Sequence, residues 1–219
     1  MNEINFEQAR FNMIEQQVRP WNVLDQRVLD VMAAVPREHF VPARYRALAF
    51  ADVPIPLDYH QVMMHPNVEG RLLQALALQP DDNVLEIGTG SGYLTACMAR
   101  LARRVVSVEI FPEFTEAARQ KVRACGTPNI QLHTGDAANG WGEHQYDAIA
   151  ITGSLPVLPD LWGQHLTLGG RLFVVVGGAP IMEATLVTRL AENEWATESL
   201  FDTDLPPLIN SERPVKFAF

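Results

Sequence analysis

The chain has 219 residues, 47% hydrophobic and 20% charged, which suits one globular domain with appendages and a sizeable core. A net charge of −9 leaves no basic excess to offset phosphates and argues against a nucleic-acid partner. Cys97 and Cys125 form no Cys-x-x-Cys pair, and the chain has neither a leader-like N-terminus nor a membrane-length apolar run, so no disulfide framework, thiolate metal site or membrane partner is expected, and a cytoplasmic location is.

In chain order, Phe6–Val18 puts Phe6, Ala9, Met13, Ile14 and Val18 near one helical face, and the break comes at Arg19-Pro20-Trp21-Asn22. Asp25 caps a second predicted helix, Gln26–Ala34, which stops before Pro36. Pro42 opens a short third helix through Ala49. Ala51–Pro66 is irregular and holds Pro54, Pro56 and Pro66; loops of this length inside a compact domain tend to be functional. A helix from about Val68 to Leu78 follows.

From Asp81 the register changes. Predicted strands Val84–Ile87, Arg104–Ile110, Ile130–Thr134, Tyr146–Thr152 and Arg171–Val176 alternate with predicted helices Tyr93–Leu101, Glu113–Ala124 and Leu158–His165. The Leu168-Gly169-Gly170 turn opens the strand at Arg171. Met182–Leu190 reads as a strand, and Trp195–Phe201 and Pro214–Phe219 as antiparallel edge structure. The alternation predicts an α/β fold with a doubly wound, mostly parallel sheet, behind an N-terminal helical extension.

Val84–Tyr93 carries the chemistry. A short apolar run contains Glu86 and is followed by Gly88, Gly90 and Gly92, and a helix comes directly after. Such a junction lets a ligand lie against bare backbone at a helix N-terminus. A dinucleotide fingerprint needs Gly-x-Gly-x-x-Gly, whereas Tyr93 follows Gly92 here, which weakens a nicotinamide reading. Glu109 ends the second strand, seventeen residues after Gly92, where a carboxylate can accept from both ribose hydroxyls. Asp136, after the third strand, is placed to accept from an adenine amine. Six histidines are present without His-x-x-x-His spacing, so no metal site is expected.

Val84–Tyr93 resembles motif I of class I S-adenosylmethionine-dependent methyltransferases. Val31–Pro42, Ala49–Pro66, Tyr146–Pro156 and Leu168–Leu172 are similar to protein-L-isoaspartate O-methyltransferases, and the resemblance runs from about Arg10 to Phe217. It implies a single Rossmann-like methyltransferase domain with a seven-stranded sheet, residues 1–80 supplying N-terminal helices and a substrate loop and 81–219 the core. It also implies S-adenosylmethionine as cofactor and isoaspartyl peptides or proteins as partners. The implied cofactor set is Glu86, Gly88, Thr89, Gly90, Gly92, Glu109, Ile110, Asp136 and Ala137.

The family's Gln-Thr-Ile-Ser-x-Pro segment, whose serine helps place the substrate carboxylate, corresponds to Gln61-Val62-Met63-Met64-His65-Pro66. Met64 therefore stands at the serine position, and Gln61, His65 and Ser154 are the substrate-side candidates. Loss of the hydroxyl need not abolish methyl transfer, because a carboxylate is already ionised at neutral pH and needs alignment more than a base. A methyltransferase with another acceptor and a non-catalytic nucleoside-binding module are the alternatives.

Overall fold

The computed structural model describes residues 5–212. Pro214–Phe219, expected as edge structure, lies outside the described residues. α1 (Phe6–Met13) runs into a π-helical turn, Ile14–Val18, and a 3-10 turn, Arg19–Trp21. Its N-cap is the Asn5 side chain, which accepts from the Gln8 amide. α2 (Gln26–Ala34) begins at Asp25, whose carboxylate accepts from the Arg27 amide. α3 (Arg37–Phe40) was not expected, and the helix expected from Pro42 is a 3-10 segment, Ala43–Leu48.

The segment expected to be irregular contains a small hairpin, β1 (Ile55–Pro56) against β2 (Val62–Met63). α4 (Pro66–Leu76) starts and stops two residues earlier than its pattern suggested. Pro66 sits at its first position, where no amide partner is needed, and Ala77 ends it at a left-handed φ of 45°.

The core alternates as expected: β3 (Asn83–Ile87), α5 (Tyr93–Leu101), β4 (Arg104–Glu109), α6 (Pro112–Ala124), β5 (Ile130–Thr134) and β6 (Tyr146–Leu155). α7 spans only Leu161–Gln164. The helix expected from Leu158 is cut short because Pro159 pushes the residue before it away from helical backbone. β7 (Leu166–Gly178), β8 (Ile181–Ala191) and β9 (Glu194–Thr203) complete the elements of the described residues. Leu168-Gly169-Gly170 does not open β7 but bulges from it: Tyr146 pairs with Leu166 and Ala148 with Arg171, with Gly169 at φ +77°.

The sheet order is β5-β4-β3-β6-β7-β8-β9, parallel through β7 and antiparallel from β7 to β9. This is the seven-stranded, doubly wound sheet expected. Successive strand residues face opposite layers. Val84, Val105, Ala148 and Phe173 pack with α2, α4 and α5, whereas Leu85, Val106, Ile149 and Leu172 pack with Trp162 on the other side. β3 leads to β4 on one side and has β6 on the other. The order therefore reverses at β3, and a crevice opens beyond its carboxyl end. Among the described residues, no helix is long and apolar enough to cross a membrane.

Candidate active site

The crevice floor is the turn from β3 to α5. Gly88, Gly90 and Gly92 all take positive φ, at 98°, 51° and 84°. The Gly88 amide donates to the Val108 carbonyl, which stitches the turn to β4. A Cβ on Gly88 would stand 2.4 Å from Thr152 Oγ1, and that hydroxyl already donates to the Ile87 and Gly88 carbonyls. Among the described residues a Cβ on Gly90 would meet only Leu57 Cδ1, at 3.6 Å, so the main chain there is bare toward the cleft.

Glu109 is 5% exposed at the end of β4. Its Oε2 accepts from the Gly90 amide at 2.8 Å and its Oε1 from the Phe111 amide at 3.1 Å. Burial pushes its carboxyl upward, and the backbone donors of Gly90, Phe111 and Ile110 oppose that. Each carboxylate oxygen keeps a second lone pair, so Glu109 can fix the turn and still accept from a ligand in the cleft. Asp136 is held by the Ala138 amide at 3.0 Å and by Asn210 Nδ2 at 2.7 Å.

Gly88, Gly90, Glu109, Ile110, Asp136 and Ala137 line one cleft. Phe111 and Phe114 form a wall, Leu57, Gln61 and Val62 a roof, and Leu208 and Ile209 the far end. The hairpin tip puts Tyr59 and His60 at φ 56° and 60°, and the Tyr59 ring stacks on Phe111 at 4.2 Å, tying roof to wall.

A smaller pocket adjoins the cleft, lined by Glu86, Glu69, Thr89, Ser91, Leu94 and the two methionines Met63 and Met64. Glu86 is fully buried on the α5 side of β3. Its Oε2 accepts from Thr95 and Ser107 hydroxyls, both at 2.5 Å, while Oε1 has no partner. Burial pushes this carboxyl up to about 8; the Glu109 charge adds to the rise and the two hydroxyls oppose it. Thr89 Oγ1 bonds Ser107 Oγ at 2.5 Å, so the turn, β3 and β4 share one buried polar network.

Several expected site residues fall elsewhere. Ser154 is fully buried and does not face the cleft. Its hydroxyl donates to the Leu205 carbonyl at 2.8 Å, and its backbone pairs with Pro206 and Leu208. It ties the C-terminal segment to β6. His65 lines neither cavity; its Nδ1 pairs with Asp52 Oδ1 at 3.0 Å. Gly92 also lines neither, because a Cβ there would meet Ala118 Cβ at 3.0 Å and its role is the close approach of α5 to α6. Gln61 roofs the cleft, with its Nε2 donating to the Tyr59 carbonyl.

Replacing Ser154 by alanine leaves a buried carbonyl unpaired, so urea unfolding should show a loss of about 1–3 kcal/mol with cofactor and acceptor affinities unchanged.

Sequence reasoning missed Leu57, Phe111, Phe114, Leu208, Ile209 and Asn210. Phe111 alone left a signal, an aromatic two residues past the acid that ends β4. The C-terminal residues reach the cleft through the backbone pairing at Ser154 and the Asn210–Asp136 hydrogen bond.

An open α/β sheet with a glycine turn at its switch point and an acid after each of the next two strands defines the class I methyltransferase architecture. Two solved chains share the fold. One is a candidate protein-L-isoaspartate O-methyltransferase of Plasmodium falciparum in complex with S-adenosyl-L-homocysteine: TM-score 0.80, 19% identity, 94% of this chain and 99% of that one covered. The other is a protein-L-isoaspartate O-methyltransferase with TM-score 0.76 and 24% identity, covering 90% and 65%.

The family model described as protein-L-isoaspartate(D-aspartate) O-methyltransferase matches residues 8–212, and the chain belongs to that family. Protein-L-isoaspartate O-methyltransferase 2 of Pelobacter propionicus is 38% identical over 210 residues, 95% of this chain and 93% of that protein. The Rhodopseudomonas palustris protein-L-isoaspartate O-methyltransferase is 38% identical over 202 residues, 91% and 93% of the two chains.

Proposed function

We propose that the chain transfers a methyl group from S-adenosylmethionine to the free carboxylate of L-isoaspartyl residues in peptides and proteins, in the cytoplasm. The observation that carries the reading is Glu109, held by the Gly90 amide at Oε2 and the Phe111 amide at Oε1 and lining a cleft floored by bare backbone. Family membership across residues 8–212 supports the acceptor. The residues fit the cofactor: Glu109 would take the ribose hydroxyls and Asp136 the adenine amine, with Ile110 and Ala137 beside them. The unpartnered Glu86 Oε1 would take the ammonium group, next to Gly88 and Thr89.

When bound, S-adenosylmethionine supplies an electrophilic methyl group on a positively charged sulfur. The acceptor carboxylate is ionised at neutral pH, so no general base is needed. The chain contributes alignment and, through the 55–63 hairpin, exclusion of water. The methyl ester is then a better leaving group than the carboxylate. Attack by the following backbone nitrogen gives a succinimide and methanol, and hydrolysis of that ring restores aspartyl linkages in part.

A different methyl acceptor is the second reading. It is favoured by Met64, buried in the pocket wall at the expected hydroxyl position beside the equally buried Met63, and by the engagement of Ser154. Radiolabelled methyl transfer to an isoaspartyl peptide beside its aspartyl twin decides between them. The first reading expects label on the isoaspartyl peptide alone. Tight cofactor binding with neither peptide labelled would transfer support to the second reading or to a binding module. By calorimetry, S-adenosylmethionine should bind and NAD should not, and Glu109→Ala should weaken binding at least about tenfold, the loss of about 1.4 kcal/mol expected for one polar ligand contact.

A further inference from the structure

We infer that Arg37 is a positioning residue for methyl transfer, holding the acceptor-side loop over the cleft from a helix that touches no ligand. The inference rests on the methyl-transfer reading above. Arg37 lies on α3 and is fully buried, an unusual place for a guanidinium. Its Nε donates to the Ala49 carbonyl at 2.9 Å and its Nη2 to the Met64 carbonyl at 2.8 Å. Its Nη1 pairs with Glu69 on α4, and its guanidinium lies 4.8 Å from the ring centroid of Tyr93, the first residue of α5.

Ala49 and Met64 are the two roots of one loop. Residues 50–63 between them carry the β1–β2 hairpin and every roof residue of the cleft. Met64 and Glu69 themselves line the smaller pocket beside Glu86 and Gly88. One side chain thus gathers the loop's start, the loop's end, the pocket wall and the helix that follows the glycine turn. Only a planar fork with several fixed donors can do this at once; an ammonium can satisfy the charge of Glu69 but not the spread of both carbonyls.

Stability alone does not account for the arrangement, since a buried ion pair is often matched or bettered by apolar packing of equal volume. What it secures is geometry, and methyl transfer to a carboxylate depends on alignment. Sequence reasoning had passed over Arg37, because its partners lie twelve, twenty-seven and thirty-two residues away.

Two variants of the full chain test this: Arg37→Lys, which keeps the charge beside Glu69, and the double change Arg37→Met with Glu69→Gln, which leaves no buried charge behind. The measurements are the thermal midpoint, amide exchange of residues 50–63, cofactor affinity, and kcat and KM normalised to titrated cofactor-binding sites. Partial unfolding lowers the number of sites but not the rate per site. The expected result is a folded protein with faster exchange confined to 50–63 and kcat lower by about a hundredfold, the loss expected from misplacement on the ångström scale, with cofactor affinity nearly unchanged in Arg37→Lys, which leaves Glu69 in place.

A variant that folds with 50–63 still protected and kcat within about twofold of the original, well short of that loss, overturns the inference. So does failure of both variants to fold, which would make Arg37 a residue of the fold only. If the unmodified protein transfers no methyl group, the proposed function falls, while the exchange of 50–63 still judges the clamp.

Discussion

Replacing Gly90 by alanine should leave a folded protein that binds S-adenosylmethionine at least about tenfold more weakly, a loss of about 1.4 kcal/mol or more. At φ +51° an alanine is close to the centre of the left-handed region, and the strain is about 1–2 kcal/mol. Among the described residues the added Cβ clashes with nothing; its one neighbour there is Leu57 Cδ1 at 3.6 Å, across the gap between floor and roof. It therefore stands in the space a ligand would fill.

Gly92→Ala makes the contrast. There φ is +84°, and the Cβ would lie 3.0 Å from Ala118 Cβ and 3.4 Å from Ala118 Cα. Two packed helices must separate, so about 2–4 kcal/mol of stability is expected to go, from overpacking plus backbone strain. Ligand affinity of the remaining folded protein should change little, because Gly92 lines neither cavity. Urea unfolding and calorimetry on both variants separate the two roles. Undiminished binding by Gly90→Ala would move the cofactor away from this floor.

Period-2 and period-3.6 patterns made the core legible. β3, α5, β4, α6 and β5 fall within a residue or so of where apolar spacing put them, because each buries a continuous face against the sheet. The hairpin was not legible. Strands of two residues, one of them Pro56, have no period to read, and their pairing is set by packing over the cleft. Ser154 shows a different failure. A polar residue near the sheet's carboxyl edge looks available to a ligand, but its partner lies at Leu205, fifty-one residues on. His65 likewise lines neither cavity, its ring paired with Asp52. Local spacing found the acids that face the cleft from strand ends. Long-range pairs such as Arg37 with Glu69, or Asp136 with Asn210, leave no mark in spacing.

Glu86 gives a large expected pH effect. In the unfolded chain a glutamate titrates at about 4.3, whereas burial in the native state holds Glu86 up at about 8. Between those values the native state binds a proton that the unfolded state has released. Stability is therefore greatest below the lower value, falls as pH rises through the window, and levels off above the upper one. The slope contributed is about 1.4 kcal/mol per pH unit, a few kcal/mol in all. Asp25 and Asp147 are shifted downward, so their opposite slopes belong to lower pH. Urea midpoints between pH 5 and 8.5 should fall in the unmodified protein and run flatter in Glu86→Gln.

The same group links binding to protons. Its unpartnered Oε1 accepts a cationic donor well only when the carboxyl is ionised. Cofactor affinity should then rise about tenfold per pH unit between pH 6 and 8, with close to one proton released per binding event at pH 7. Calorimetry at pH 7 in buffers of different ionisation heats measures that proton directly. Glu86→Gln should bind more weakly and release none. If the unmodified protein gives the same heat in every buffer, Glu86 keeps its proton through binding and some other group receives the ammonium.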